Sequence, residues 1–253
     1  MPAPIIRADY SVNQLAVHLG LAPWQMRLGR EHGLLPEPDR DGERWSAALA
    51  AELEGGQVIA RFGTEPPIGA GRAATRLAGR VGIDVERPDI AVLAAHGELR
   101  VISAFRGHPV YLLRDLDALD PDAVRAVVST RKGPLADTVD AAGAAAILDW
   151  PRRAFDRIAL SRSLPMDRLG RYMLADVRAL KADELLARQV SEEKHRLAAA
   201  KRHRQEAKCE DAIRGWILRC TAYVDRVAED PPDTAALSRA LRTLTAARRT
   251  EPG

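Results

Sequence analysis

Trp24, Gln25, Arg27 and Arg30 fall at positions that one short helix would present from its first turn onward. Arg40 and Arg44 flank the end of the turn cluster DRDG. A guanidinium pairs bidentately with phosphate or with a guanine edge, and a glutamine matches adenine in the same way. Such side chains on an exposed helix start, with further cations on a hairpin, suit contact with the grooves and backbone of duplex DNA. A second set lies at Arg152, Arg153 and Arg157, with Arg171 beside Tyr172. A third is the run KHRLAAAKRHRQEAK, residues 194–208, where six Lys or Arg stand against one Glu. Those six cannot all pair with one carboxylate, which makes Lys194, Lys201, Arg202 and Arg204 candidates for nonspecific phosphate contacts.

Other chemistries find little footing. GAGRAA, residues 69–74, lacks the full glycine pattern of a dinucleotide loop and follows no clear strand, so it reads as a loop entering a helix. STRKGP, residues 129–134, reads as a solvated basic linker. His195, His203, Cys209 and Cys220 share the C-terminal region at spacings unlike the compact zinc patterns, so neither a metal nor a cofactor is expected. No nucleophile–base pair is recognisable and the carboxylates are dispersed, so an enzyme is not expected. Two cysteines are too few for a disulfide framework. No stretch approaches the roughly 20 apolar residues of a membrane span. The opening MPAPIIRADY lacks the apolar region of a signal peptide, and a cytoplasmic chain with no membrane partner is expected.

The elements that would position these residues repeat along the chain. LGLAPWQMRLGREHGLLP, residues 19–36, and LDWPRRAFDRIALSRSLP, residues 148–165, share one frame without a gap. Similar endings follow, DGERWSAALAAEL after the first and LGRYMLADVRAL after the second. Between them, residues 72–119 fit the same plan less closely, with HGEL where the first has HGLL. Each unit reads as a short helix, a turn, a second helix, an extended hairpin and a third helix. In the first, Val12, Leu15, Leu19, Met26 and Leu34 are spaced to bury one face of two short crossing helices. Gly20 frees the connection, Pro23 opens the second helix and Gly33 stops it. Low aromatic content, 4%, and abundant alanine also favour small helical units, each with its own small core.

Residues 11–53 resemble the DNA-binding domain of MerR-type regulators and the related excisionase-like domains. The resemblance rests on the Leu-Gly turn, Pro23, Met26 followed by Arg27, the Gly-Leu-Leu-Pro exit, and the hairpin pattern Gly42, Arg44, Trp45. It departs at Leu28 and Gly29, where such domains carry bulky or aromatic residues. The resemblance implies a winged helix-turn-helix whose second helix and wing meet DNA. In the third unit Asp156 stands at the position of Arg27. In the middle unit Ala91 does, and a structural or interdomain role is expected there.

The expected fold is therefore mostly α, with tandem winged helix-turn-helix units at residues 1–57, 65–128 and 134–180. A long helical, coiled-coil-like region follows at 181–253, with Ile213, Ile217, Cys220, Val224 and Val227 as its apolar seam. DPPDTAAL ends that helix, Asp233 caps a last short one, and RRTEPG is expected to fray. The expected function is sequence-specific binding of double-stranded DNA in transcriptional regulation, as a homodimer through 181–253. The alternative is a structural or protein-interaction module whose winged-helix units no longer read DNA. A net charge of only +3 gives weak support for nucleic-acid binding, and the near-neutral balance outside the C-terminal region favours the alternative.

Overall fold

A computed structural model describes residues 8–249, so the RRTEPG end lies largely outside the described residues. It is mostly helical, with three small antiparallel sheets and one long helix in its C-terminal part. The chain separates between Ala179 and Leu180 into two compact units.

In the first unit one order of elements recurs three times. The first repeat is β1 (Asp9–Ser11), α1 (Val12–His18), α2 (Pro23–Glu31), β2 (Arg44–Ser46) and α3 (Ala47–Glu52), followed by α4 (Gly55–Phe62). The second is β3 (Ile68–Gly69), α5 (Ala70–Val81), α6 (Arg87–Ala95), β4 (Ser103–Phe105), β5 (His108–Tyr111) and α7 (Leu113–Ala118), followed by α8 (Pro121–Lys132). The third is β6 (Thr138–Val139), α9 (Ala141–Leu148), α10 (Arg152–Ser161), β7 (Tyr172–Met173) and α11 (Leu174–Ala182).

Each leading strand pairs antiparallel with the return strand of its own repeat. Tyr10 stands opposite Trp45, Ile68 opposite Tyr111 and Val139 opposite Tyr172. The return strand thus carries one aromatic ring at the same place each time, and all three are buried. Trp45 also satisfies its indole N–H on the Pro36 carbonyl at 3.0 Å, as a buried indole must. The helix exits repeat as well. Gly20, Gly82 and Asp149 leave the first helix with φ of 65°, 72° and 55°, and Gly33, Gly97 and Ser163 leave the second with φ of 69°, 80° and 49°. A left-handed residue lets the next amide fold back onto the last turn, as Leu34 N–H does to the Gly29 carbonyl at 2.8 Å and Leu164 N–H to that of Ala159 at 2.9 Å. Glycine occupies four of these six sites because a β-carbon there costs about 1–2 kcal/mol.

The repeats do not each close a core of their own. Leu15, Met26, Leu28, Trp45, Val58 and Phe62 form one cluster with Ile102, Val110 and Leu112 of the second repeat. Two short crossing helices offer too little apolar surface alone, and the neighbouring hairpin completes it. Packing also accounts for Gly29: a β-carbon there would lie 2.8 Å from Leu35 Cδ1 and 3.3 Å from Val58 Cγ2. The second and third repeats are joined through α5 against α9. Beside that contact a buried ion pair ties Lys132 Nζ to Asp84 Oδ2 at 2.8 Å.

In the second unit α12 (Glu184–Val224) runs for 41 residues, unbroken at Gly215, and packs against α13 (Thr234–Arg249). Asp183 caps α12 by accepting from Leu186 N–H at 3.0 Å, and Asp233 accepts from Ala235 N–H at 2.8 Å where α13 begins. Trp216 donates to the Asp233 carbonyl at 3.1 Å, and Arg248 reaches Glu210 at 3.0 Å. The expected apolar seam is not one buried stripe. Cys209 is the buried residue of this part of α12, whereas Val224 is 75% exposed and Val227, 80% exposed, lies past the helix end. Among the described residues no helix is long and apolar enough to cross a membrane.

Candidate nucleic-acid interface

α2 starts at Pro23, which needs no hydrogen-bond partner for its nitrogen at a helix start. That start puts Gln25 at the third helical position, and its side chain turns back: Oε1 accepts from Ala22 N–H at 2.8 Å, while Nε2 donates to the Gly63 carbonyl at 2.7 Å. Gln25 is therefore buried and fully engaged, not an exposed reader of bases. The signal was in the sequence, because proline at the first position and glutamine at the third form half of a capping box. Asp89 does the same in the second repeat, accepting from Glu86 N–H at 2.8 Å.

Trp24 is half-buried at the start of α2, and Arg27 is exposed on the next turn. Arg27 meets the hairpin of the second repeat: Nη1 donates to the Ala104 carbonyl at 3.2 Å, and the guanidinium lies 5.9 Å from the Phe105 ring centre. Two further contacts bind the end of α2 and the residue after it to β4 and the residue before it. Glu31 accepts from Ser103 Oγ at 2.7 Å, and His32 Nε2 lies 2.8 Å from the Ile102 carbonyl. Arg30 pairs with Glu37 at 2.8 Å and lies over the Trp45 ring at 5.5 Å.

The first hairpin turns through Asp41 and Gly42, both with positive φ, between the bridged Arg40 and Arg44. Arg40 is exposed and makes no ion pair among the described residues. Arg44 is not a free cation: its Nη2 pairs with Asp9 Oδ1 at 2.5 Å across the β1–β2 ladder, half-buried. Asp39 at the base of the hairpin is held below the ordinary carboxylate range, first by the Ser46 side chain and then by the Ser46 N–H.

In the third repeat Arg152 and Arg153 are exposed at the start of α10, and Arg152 pairs with Asp156 one turn on at 2.8 Å. Arg157 is exposed and engaged in contacts of its own. Arg171 does not face solvent as a phosphate ligand would. Its Nε donates to Thr138 Oγ1 at 2.8 Å, and Nη2 reaches the Thr138 carbonyl at 3.2 Å and Asp84 Oδ2 at 3.6 Å. Its charge is spent holding the third repeat to the second. In the second unit Lys201, Arg202 and Arg204 are exposed along α12, while Lys194 is half-buried and engaged.

The structure adds residues that the sequence reading passed over. Trp24 and Arg27 line an open groove of about 690 Å³ whose other wall is the second repeat, with Arg72, Phe105, Arg106 and His108. A smaller hollow of about 440 Å³ adjoins it, with Arg72 and His108 shared and Arg87 added. None of the residues lining either is acidic. Phe105 is 55% exposed and has Arg106 at 5.4 Å and Arg27 at 5.9 Å from its ring centre. Cation–π contacts of this kind hold guanidinium groups without neutralising them. The missed signal is FRGH, a two-residue turn between short strands.

No family model matches the sequence, and no curated protein or solved structure matches the chain.

Proposed function

We propose that this chain is a sequence-specific DNA-binding protein, a transcriptional regulator built from three winged helix-turn-helix units. The observation that carries the reading is the three-fold order of strand, helix, turn, helix, return strand and helix, with left-handed exits at matching places. Under this reading the second helix and the hairpin of the first repeat are the helix and wing that meet DNA, and the exposure of Arg27 and Arg40 supports it. Arg152 and Arg153 offer a second, weaker contact surface, and the exposed cations of α12 add affinity without sequence preference. A homodimer through the second unit would join two such reading surfaces, for which the exposed Ile217, Leu218, Val224 and Val227 offer apolar area.

One observation favours a second reading. The edge of α2 that carries Arg27 and Glu31 is bonded to the hairpin of the second repeat, so α2 cannot enter a major groove along that edge unaccompanied. Under this reading the repeats form a protein-interaction module. A selection from randomised duplexes separates the two. Recovery of a common motif, lost on Arg27→Glu, supports DNA reading; unselective recovery at low salt, or none, supports the second reading.

A further inference from the structure

We infer that the groove between α2 and the β4–β5 hairpin is a composite site for the phosphodiester backbone of duplex DNA, to which the second repeat supplies most of the cations. This deepens the proposal of DNA binding and rests on it. Arg72, Arg106 and His108 of the second repeat converge with Arg27 and Trp24 of the first on one open surface. Arg87 extends the track: a β-carbon on Gly71 would meet its Nε at 2.9 Å, so its guanidinium lies along the start of α5. Among the described residues, Arg27, Arg72, Arg87 and Arg106 are exposed and make no ion pair, in contrast to Arg30, Arg44, Arg131 and Arg171, which do. Free cations on a surface without carboxylates match a polyanion, and guanidinium groups spread along a concave track match successive phosphates better than one small anion.

The hairpin tip supports the assignment independently. Phe105 pairs with His108 across a turn of only Arg106 and Gly107, whose φ values are 52° and 77°. Both central residues of a type I′ turn need positive φ, and asparagine–glycine is the favoured pair. Arginine at the first of these positions is strained, and among the described residues the Arg106 side chain has no hydrogen bond or ion pair to offset it, only the contact with the Phe105 ring. Asp149 and Ser163 take the same conformation to end helices, whereas Arg106 takes it on the wall of the groove, and such strain is also found at binding sites. The centre of the exposed Phe105 ring lies 5.9 Å from the Arg27 and 5.4 Å from the Arg106 guanidinium, which brings a cation from each repeat to one residue of the groove. The second repeat thus acts as a wing for the first repeat's α2, and the contacts that block α2 along one edge become the means of building the site.

The test is fluorescence anisotropy of the full chain on a labelled mixed-sequence duplex of about 30 base pairs, roughly three helical turns, over a series of salt concentrations. The variant is Arg72→Gln with Arg106→Asn, both at exposed sites, the second creating the favoured turn sequence. Each lost phosphate contact makes the dependence of log affinity on log salt shallower by about 0.9, so two contacts give about 1.8. At about 0.1 M salt that slope corresponds to roughly eightfold per contact, or roughly sixtyfold for the pair. A loss of that size with the shallower slope, in a variant that melts no lower than the parent chain, supports the composite site. An unchanged slope and affinity overturn it, and if Arg40→Gln still weakens binding, the DNA reading survives while the groove lies off the DNA path. Absence of duplex binding by the parent chain at about 50 mM salt overturns both. Tighter binding of a single-stranded oligonucleotide than of the duplex overturns the duplex as occupant.

Discussion

Removing Asp84 should unfold the joint between the second and third repeats, and the size of the effect can be worked from the surroundings. Asp84 follows the left-handed exit of α5 at Gly82, Lys132 ends α8, and Arg171 stands beside β7. The side chains of Asp84 and Lys132 are 7% and 3% exposed, and Arg171 approaches the same carboxylate oxygen at 3.6 Å while 20% exposed. Lys132 also donates to the Thr138 carbonyl, and a β-carbon on Gly143 would lie 2.3 Å from Asp84 Oδ1, so the carboxylate is packed directly against the start of α9. Asp84→Ala leaves a buried ammonium without its counter-ion. Breaking a buried pair in this way costs about 3–5 kcal/mol.

The converse change should cost less. Lys132→Met leaves Asp84 facing Arg171 and fills the space with a flexible apolar chain, for which about 1–2 kcal/mol is expected, the difference arising from the charge that remains paired. Asp84→Ala with Lys132→Met together should then cost less than Asp84→Ala alone, because the orphaned charge is gone. Urea unfolding followed by tryptophan fluorescence reads this, as three of the four tryptophans, Trp24, Trp45 and Trp150, lie in the first unit. An Asp84→Ala cost below about 1 kcal/mol, or a double variant no more stable than that single one, would refute the account of a desolvated, mutually dependent cluster.

Arg106→Asn relieves the left-handed arginine at the second hairpin and should raise stability by about 0.5–1 kcal/mol, seen as a melting temperature about 1–4 °C higher; a fall would mean that the turn is not strained. Asp117 is held below its ordinary value of 3.8 by the Arg76 hydrogen bond, so its contribution is present above that pH and is lost as pH falls through the lowered value. Asp117→Asn should therefore lower the melting temperature at pH 7 and have a vanishing effect in acid, and an equal effect at both would exclude the ion pair as the cause. Gly55→Ala would place a β-carbon 2.1 Å from the Leu19 carbonyl oxygen and should destabilise by about 1–3 kcal/mol in a chemical denaturation series, whereas Gly56→Ala, with open space around it, should be near neutral. Truncation after Ala182, at the end of α11, should leave a folded monomer by light scattering, and the full chain should run as a dimer; a monomeric full chain would remove the second unit as the association surface.

What the sequence made legible is what short-range chemistry encodes. Pro23, Gly33 and the DRDG cluster mark where α2 begins, where it stops and where the chain turns back, because each sets backbone angles by itself. Asp233 ahead of a helix-forming run marks the start of α13 for the same reason. The strands β1, β3 and β6 left no such mark: two or three residues cannot display an alternation, and each exists only because a return strand more than 30 residues later pairs with it. The candidate site divides along the same line. Helical spacing sets Arg30 one turn beyond Arg27 on α2, but it says nothing of what stands opposite, and the partner of Arg27 is the Ala104 carbonyl 77 positions away. Likewise Arg171 looks like a hairpin cation until the folded chain brings Asp84 within 3.6 Å. An arginine's role is set by whether a carboxylate reaches it. By that criterion the middle repeat, whose second helix has Ala91 in place of Arg27, still lines the proposed groove with Arg72, Arg87 and Arg106, none of them ion-paired among the described residues, on its first helix, the start of its second and its hairpin tip.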